Sequence, residues 1–151
     1  MNDGSTDDTS NQLKKLNEKS VTVIELDKNY GQSSAIAAGI DFSKGNYIVT
    51  LDGDLQNDPY DIPWMLEILK NKSLDLIAGF RKERKDPFFK KIPSIIANYI
   101  IQILTKTKIK DNGCALKIFN ESAAKKLIFS GEIHRYITTI SFLNGLKVMQ
   151  V

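Results

Sequence analysis

Asp52-Gly53-Asp54 closes the apolar run Tyr47–Leu51 with two carboxylates one residue apart. Gly53 allows a tight backbone there, so both side chains can face one hard cation, Mg²⁺ or Mn²⁺. Gln56 adds a neutral carbonyl oxygen two residues on, and Pro59 stiffens the exit of the run Asp52-Gly-Asp-Leu-Gln-Asn-Asp-Pro59. Asp52, Asp54 and Gln56 are therefore candidate metal ligands in an oxygen cradle whose shell a diphosphate would complete. A solvated acidic turn is the competing reading, because two aspartates at this spacing recur by chance.

Other residues able to do chemistry are few. Arg81 ends Gly79-Phe80-Arg81 and opens a loop to Lys91 with six cations against two anions, with Phe88 and Phe89 inside it. Such a loop suits an anionic bilayer surface, basic groups at the headgroups and aromatic rings below them, or else it is a solvated loop whose rings tuck into the core. A nucleic-acid partner is not expected, because the patch is local and no recognition element accompanies it. His134 is the sole histidine, either a lining or a packing residue, and Cys114 is the sole cysteine, which reads as a small core residue. Asp111 either orients Arg81 or the acceptor site, or belongs to a turn.

The elements that must position these residues alternate. Ser5 to Thr9 caps a short polar helix, Val21–Leu26 has the β-branched density of a strand, and Gly31–Phe42 has the small, apolar content of a buried helix. Tyr47–Leu51 reads as a strand covered on both faces, Ile62–Lys72 as an amphipathic helix with Pro63 in its first turn, and Leu74–Ala78 as another buried strand. An apolar helix over Ile92–Leu104, a strand over Ala115–Phe119, and helices near Ala123–Phe129 and His134–Asn144 follow. The alternation predicts an α/β fold with a doubly wound, mostly parallel sheet, whose ligands bind beyond the carboxyl ends of the strands, where the acidic run sits.

Six segments, taken in order, resemble family-2 glycosyltransferases: Asn2-Asp-Gly-Ser-Thr-Asp7, Asn29-Tyr-Gly31, Asp52–Pro59, Gly79-Phe-Arg81, Asp111-Asn-Gly-Cys-Ala-Leu-Lys117 and Glu132-Ile-His-Arg135. Within that family they are similar to the dolichol-phosphate mannosyltransferase and undecaprenyl-phosphate glycosyltransferase branch. The resemblance implies a GT-A sheet and transfer of a hexose, with inversion, from a nucleotide sugar of the GDP-mannose or UDP-glucose type to a polyprenyl phosphate. It implies that Asp3, Asn29, Gly31 and Asp52 bind the donor, and that Asp52 and Asp54, with Gln56, serve the metal. It gives the acceptor phosphate to Arg81, Lys90, Ser94 and Arg135, with Lys90 departing from the family's arginine. A lysine there is a point charge without the two-pronged fork. Asp3 has a competing reading as a helix cap, and Arg81 one as a solvated loop cation. A family-2 transferase with a sugar-chain acceptor, or a fragment that only binds nucleotide, are the alternative functions. The resemblance further implies that residues 1–151 are a partial catalytic domain, with two strands expected before Met1 and a Pro-Arg and Gly-x-Ser-Lys-Tyr segment after Val151.

Composition narrows the field. Of 151 residues, 42% are hydrophobic and 26% charged, values that fit a globular domain and exclude a disordered chain. One cysteine cannot form an internal disulfide or a thiolate zinc site. A polar N-terminal run and the absence of an apolar stretch long enough to span a bilayer lead to the expectation of a cytoplasmic protein peripheral to the cytoplasmic face of a membrane.

Overall fold

The computed structural model describes residues 1–16, 18–81, 100–127 and 133–151. The chain forms two compact units, Met1–Lys44 with Ile128–His134, and Gly45–Leu127 with Arg135–Val151.

In the first unit, β1 (Asn2–Asp3) pairs in parallel with β2 (Glu25–Leu26), Asn2 opposite Glu25 and Asp3 opposite Leu26. Of the strand expected over 21–26, only the last two residues pair, because β1 offers just two partners. Between them runs α1 (Thr9–Lys14), and α2 (Gln32–Phe42) follows Gly31. Asn2 is buried and joins the pieces: its amide donates to Ser10 Oγ (3.0 Å) and Glu25 Oε1 (3.1 Å), and its oxygen accepts from the Ser5 backbone (3.1 Å). Gly4 has φ +64°, and a Cβ there would lie 2.3 Å from the Lys28 carbonyl carbon, so only glycine lets the turn pass.

The second unit carries a four-stranded sheet in the order β3 (Tyr47–Thr50), β5 (Lys117–Asn120), β4 (Leu76–Ala78), β6 (Val148–Gln150). The α/β class expected from the sequence stands, and the sheet is mixed: β4 and β6 are parallel, while β5 runs antiparallel to both its neighbours. Each strand is short, and β4 is buried throughout. Its core gathers Met65 and Leu69 from α3 (Ile62–Asn71) with Ile77, Cys114, Leu116 and Ile118. These two α3 residues are four apart and share one face, as the amphipathic pattern requires. The chain is helical over 100–105 (α4). Next come α5 (Glu121–Lys126), capped by Asn120 Oδ1 accepting from Ala123 N at 2.7 Å, and α6 (Ile137–Leu143). No helix among the described residues is long and apolar enough to cross a membrane.

Candidate active site

The second unit brings the acidic turn and the Gly-x-Arg element to one place. β3 delivers Asp52 and Asp54, β4 delivers Gly79-Phe80-Arg81, and β5 lies between the two strands. A cavity of about 600 Å³ is lined by Asp54, Gln56, Asn57, Trp64, Phe80, Arg81 and Cys114, among others.

Asp52 is half-buried and Asp54 exposed. One Asp54 oxygen accepts from the Gln56 backbone N–H (3.1 Å), which curls the turn back on itself. Leu55, at the apex, has φ +61° and is 93% exposed. A left-handed non-glycine residue costs roughly 1–2 kcal/mol, so the loop holds a strained residue next to its carboxylates. Downstream, Asp58 Oδ1 accepts from Tyr60 N (2.9 Å) at the head of a 3₁₀ turn over Pro59–Asp61, and Trp64 Nε1 donates to Asp61 Oδ1 (2.9 Å). Among the described residues no group of three or more His, Cys, Asp or Glu side chains is placed to hold a cation. The donors of this turn are hard oxygens, the right kind for Mg²⁺ or Mn²⁺, but too few to close a shell without oxygens from a ligand.

Arg81 is not a solvated loop cation. Its Nε and Nη2 donate to Asp111 Oδ2 and Oδ1 at 2.8 and 3.0 Å, a two-pronged pair in which Asp111 is 1% exposed. Gly113 N donates to the same carboxylate (3.0 Å), and a Cβ on Gly113 would lie 2.8 Å from Arg81 Nη2. Of the readings that the sequence left open for Asp111, two hold together: it orients Arg81, and through Gly113 N it also closes the turn that follows it. Cys114 is buried as expected, and its thiol donates to Asn57 Oδ1 (3.2 Å) in the acidic loop. Burial pushes that thiol above its ordinary value.

Two residues with no role assigned from the sequence, Gln150 and Lys117, complete the scaffold. Gln150 accepts from Lys110 N (2.7 Å) and Asp111 N (3.1 Å) and donates to the carbonyls of Gly79 (3.2 Å) and Asp111 (2.7 Å). Lys117 is buried on the central strand and donates to the Cys114 carbonyl. Gln150 carries no signal in the sequence, and Lys117 stands there only as the last residue of the segment Asp111 to Lys117.

In the first unit, Asp3 does not cap a helix. Its two oxygens accept from Tyr30 N (2.8 Å) and Gly31 N (2.9 Å), and Asn29 Oδ1 also accepts from Gly31 N (3.1 Å), so Asp3, Asn29 and Gly31 are one hydrogen-bonded group at the entry to α2. His134 bonds Ser33, ring Nδ1 to hydroxyl at 2.9 Å and backbone N–H to the same oxygen at 3.2 Å. Arg135 is exposed on the 3₁₀ turn Ile133–Tyr136. Lys90, Ser94, Phe88, Phe89 and Glu132 lie outside the described residues, as does most of the basic loop.

Known proteins of one family resemble this chain over most of its length. Residues 1–128 match Glycosyl transferase family 2. A dodecaprenyl-phosphate galacturonate synthase from Rhizobium johnstonii is 47% identical over 141 residues, 91% of this chain and 42% of that protein. An undecaprenyl-phosphate 4-deoxy-4-formamido-L-arabinose transferase from Edwardsiella ictaluri is 33% identical over 144 residues, 93% of this chain and 44% of that protein. The chain thus spans less than half the length of these relatives. Among solved structures, glucosyl-3-phosphoglycerate synthase from Mycobacterium tuberculosis, in complex with Mn²⁺, UDP-glucose and phosphoglyceric acid, superimposes with a TM-score of 0.73 at 17% identity, over 98% of this chain and 55% of that one. At that identity the likeness speaks for the fold, GT-A, alone.

Proposed function

The chain belongs to glycosyltransferase family 2, and from that premise we propose that it is a catalytic portion of an enzyme that transfers a sugar from a nucleotide diphosphate to a polyprenyl phosphate, with inversion. The observation that carries this reading is one cavity lined both by the acidic turn, through Asp54 and Gln56, and by Arg81. Carboxylate oxygens that can hold a cation suit one phosphate-bearing substrate, and a fixed guanidinium suits the other. The activities that these relatives are named for, both polyprenyl-phosphate transfers, support the acceptor class.

Asp52 and Asp54, with Gln56, would hold Mg²⁺ or Mn²⁺ together with the donor diphosphate, and the cation's chemistry is to neutralise charge on the leaving nucleotide. Asp3, Asn29 and Gly31 form the candidate grip on the nucleoside. Arg81, locked by Asp111, meets the acceptor phosphate with a rigid fork whose orientation is set before the ligand arrives. Lys90, Ser94 and Arg135 are further candidates for that phosphate. The acceptor needs no general base, because a phosphate monoester with a second pKa of about 6 is already the anion that attacks. His134, bonded to Ser33, is accordingly given no proton to carry. The basic run from Arg81 to Lys91 fits a membrane-peripheral site beside the lipid.

The test is transfer of labelled sugar from a panel of UDP- and GDP-sugars to a short-chain polyprenyl phosphate, with the wild-type chain and Arg81→Ala. Product with at least one donor, falling about 10²–10³-fold in the variant, is the expected result. Transfer to a sugar chain but not to the lipid phosphate, or an unchanged rate in the variant, refutes it.

A further inference from the structure

Lys117 lies where the two candidate loops meet. It opens β5, and in the sheet it stands opposite Thr50 of β3 on one side and Ala78 of β4 on the other. Asp52 follows two residues after Thr50, and Arg81 three after Ala78, so one side chain on the central strand is lateral neighbour to the roots of both loops. The residue is 4% exposed. Its ammonium has three N–H groups, and its one hydrogen-bond acceptor among the described residues is the Cys114 carbonyl. A buried lysine with one neutral acceptor is costly unless charge of the opposite sign stands near.

Resting on the transferase reading above, we infer that Lys117 is a positioning residue for the donor site: a fixed internal cation that weakens the acidic turn's hold on a bare metal ion and favours the arrival of a diphosphate. The carboxylates around it favour its charged form, while burial works against it. Burial pushes its pKa down, Asp111 and Asp52 are among the groups that pull it back up, and Arg81 opposes them. Counting Asp52, Asp54, Asp58, Asp61 and Asp111 against Arg81 and Lys117, the site carries three net negative charges with the lysine and four without it. The turn therefore holds a free divalent ion less tightly while the lysine is present, and is a more repulsive site for a free diphosphate once it is gone.

This predicts effects of opposite sign, which loss of structure cannot produce. In isothermal titration of the whole chain, Lys117→Met should bind Mn²⁺ alone more tightly and inorganic pyrophosphate alone more weakly. Each change should be about two- to five-fold, the size of a screened interaction with one unit charge at an effective dielectric constant near 20. Lys117→Arg, which keeps the charge, should stay near wild type in both. Lys117→Gln, which keeps a donor for the Cys114 carbonyl, serves if the methionine variant does not fold. Weakening of both ligands, no change in either, or failure of both neutral variants to fold would make Lys117 merely structural and overturn the inference. If wild type binds pyrophosphate with Mn²⁺ and the variants do not diverge, this inference falls while the transferase reading stands. If folded wild type binds neither probe, alone or together, both fall.

Discussion

Asp111→Asn tests the claim that Arg81 is held in place before any ligand binds. The substitution keeps the shape and one oxygen acceptor but removes the charge that receives Nε at 2.8 Å and Nη2 at 3.0 Å. Removing one partner of a fully buried pair costs about 3–5 kcal/mol. Here the Arg81 side chain is 20% exposed and can turn toward water, and the remaining oxygen can still accept from Gly113, so a loss of about 2–3 kcal/mol is expected. Arg81→Met is the harsher change, because Asp111 at 1% exposure then stays charged with no cation on it. It should cost about 3–5 kcal/mol. The double variant removes both charges and should cost well under the sum of the two, leaving a coupling of about 2 kcal/mol. Urea unfolding followed by the fluorescence of Trp64, the only tryptophan and a residue of the same unit, reads the effect where it arises. With a slope of about 1–3 kcal/mol per molar, Asp111→Asn should lower the midpoint by about 1–2 M. Additivity within about 0.5 kcal/mol would refute a coupled pair and, with it, a preorganised arginine.

Two further outcomes follow from the titrating groups. Burial raises the Cys114 thiol above its ordinary value of 9.0, so at pH 8 the native chain should react slowly with a disulfide reagent and rapidly once urea unfolds it; fast stoichiometric labelling of the native chain would contradict the buried thiol-to-Asn57 arrangement. Glu25 is held below its ordinary value of 4.5 by the Ser10 hydroxyl and then the Asn2 amide. The sign follows: this carboxylate stabilises the first unit fully above pH 4.5, and that stabilisation is lost as pH falls through the lower folded value. An NMR titration should place the Glu25 midpoint below 4.5, and Glu25→Gln should remove its share of the acid sensitivity; a midpoint at or above 4.5 would count against the Asn2–Ser10–Glu25 network.

How much of this was legible in the sequence depends on how local each feature is. Asp52 to Pro59 declares itself because an apolar strand, a glycine and two carboxylates are adjacent in the chain. The helices over 32–42 and 62–71 follow from periodicity and from glycine and proline placement. The direction of β5 does not, since a four-residue run reads the same whether its neighbours are parallel or antiparallel. The strand expected at 21–26 shrinks to two residues for a related reason: β propensity at Val21 to Ile24 cannot form a ladder without a partner strand beside it. The Arg81–Asp111 pair spans 30 residues, and the sequence could offer it only as one of two options.

The segment from Asp111 to Lys117 shows what such long-range ties accomplish. Asp111 takes the arginine of one loop, the Cys114 thiol takes Asn57 of the other, and the Cys114 carbonyl takes the lysine of the strand between them. Gly79 packs closely against the same segment, since a Cβ there would sit 3.0 Å from Cys114 Sγ and the thiol would have to give way. A stretch that reads in the sequence as a turn followed by small and apolar residues is thus the brace that sets the acidic turn and the guanidinium against each other. Each of its polar contacts fixes a group that would otherwise lose side-chain freedom only when a ligand bound, and placing that ordering in the fold leaves less of it to be imposed at the moment of binding.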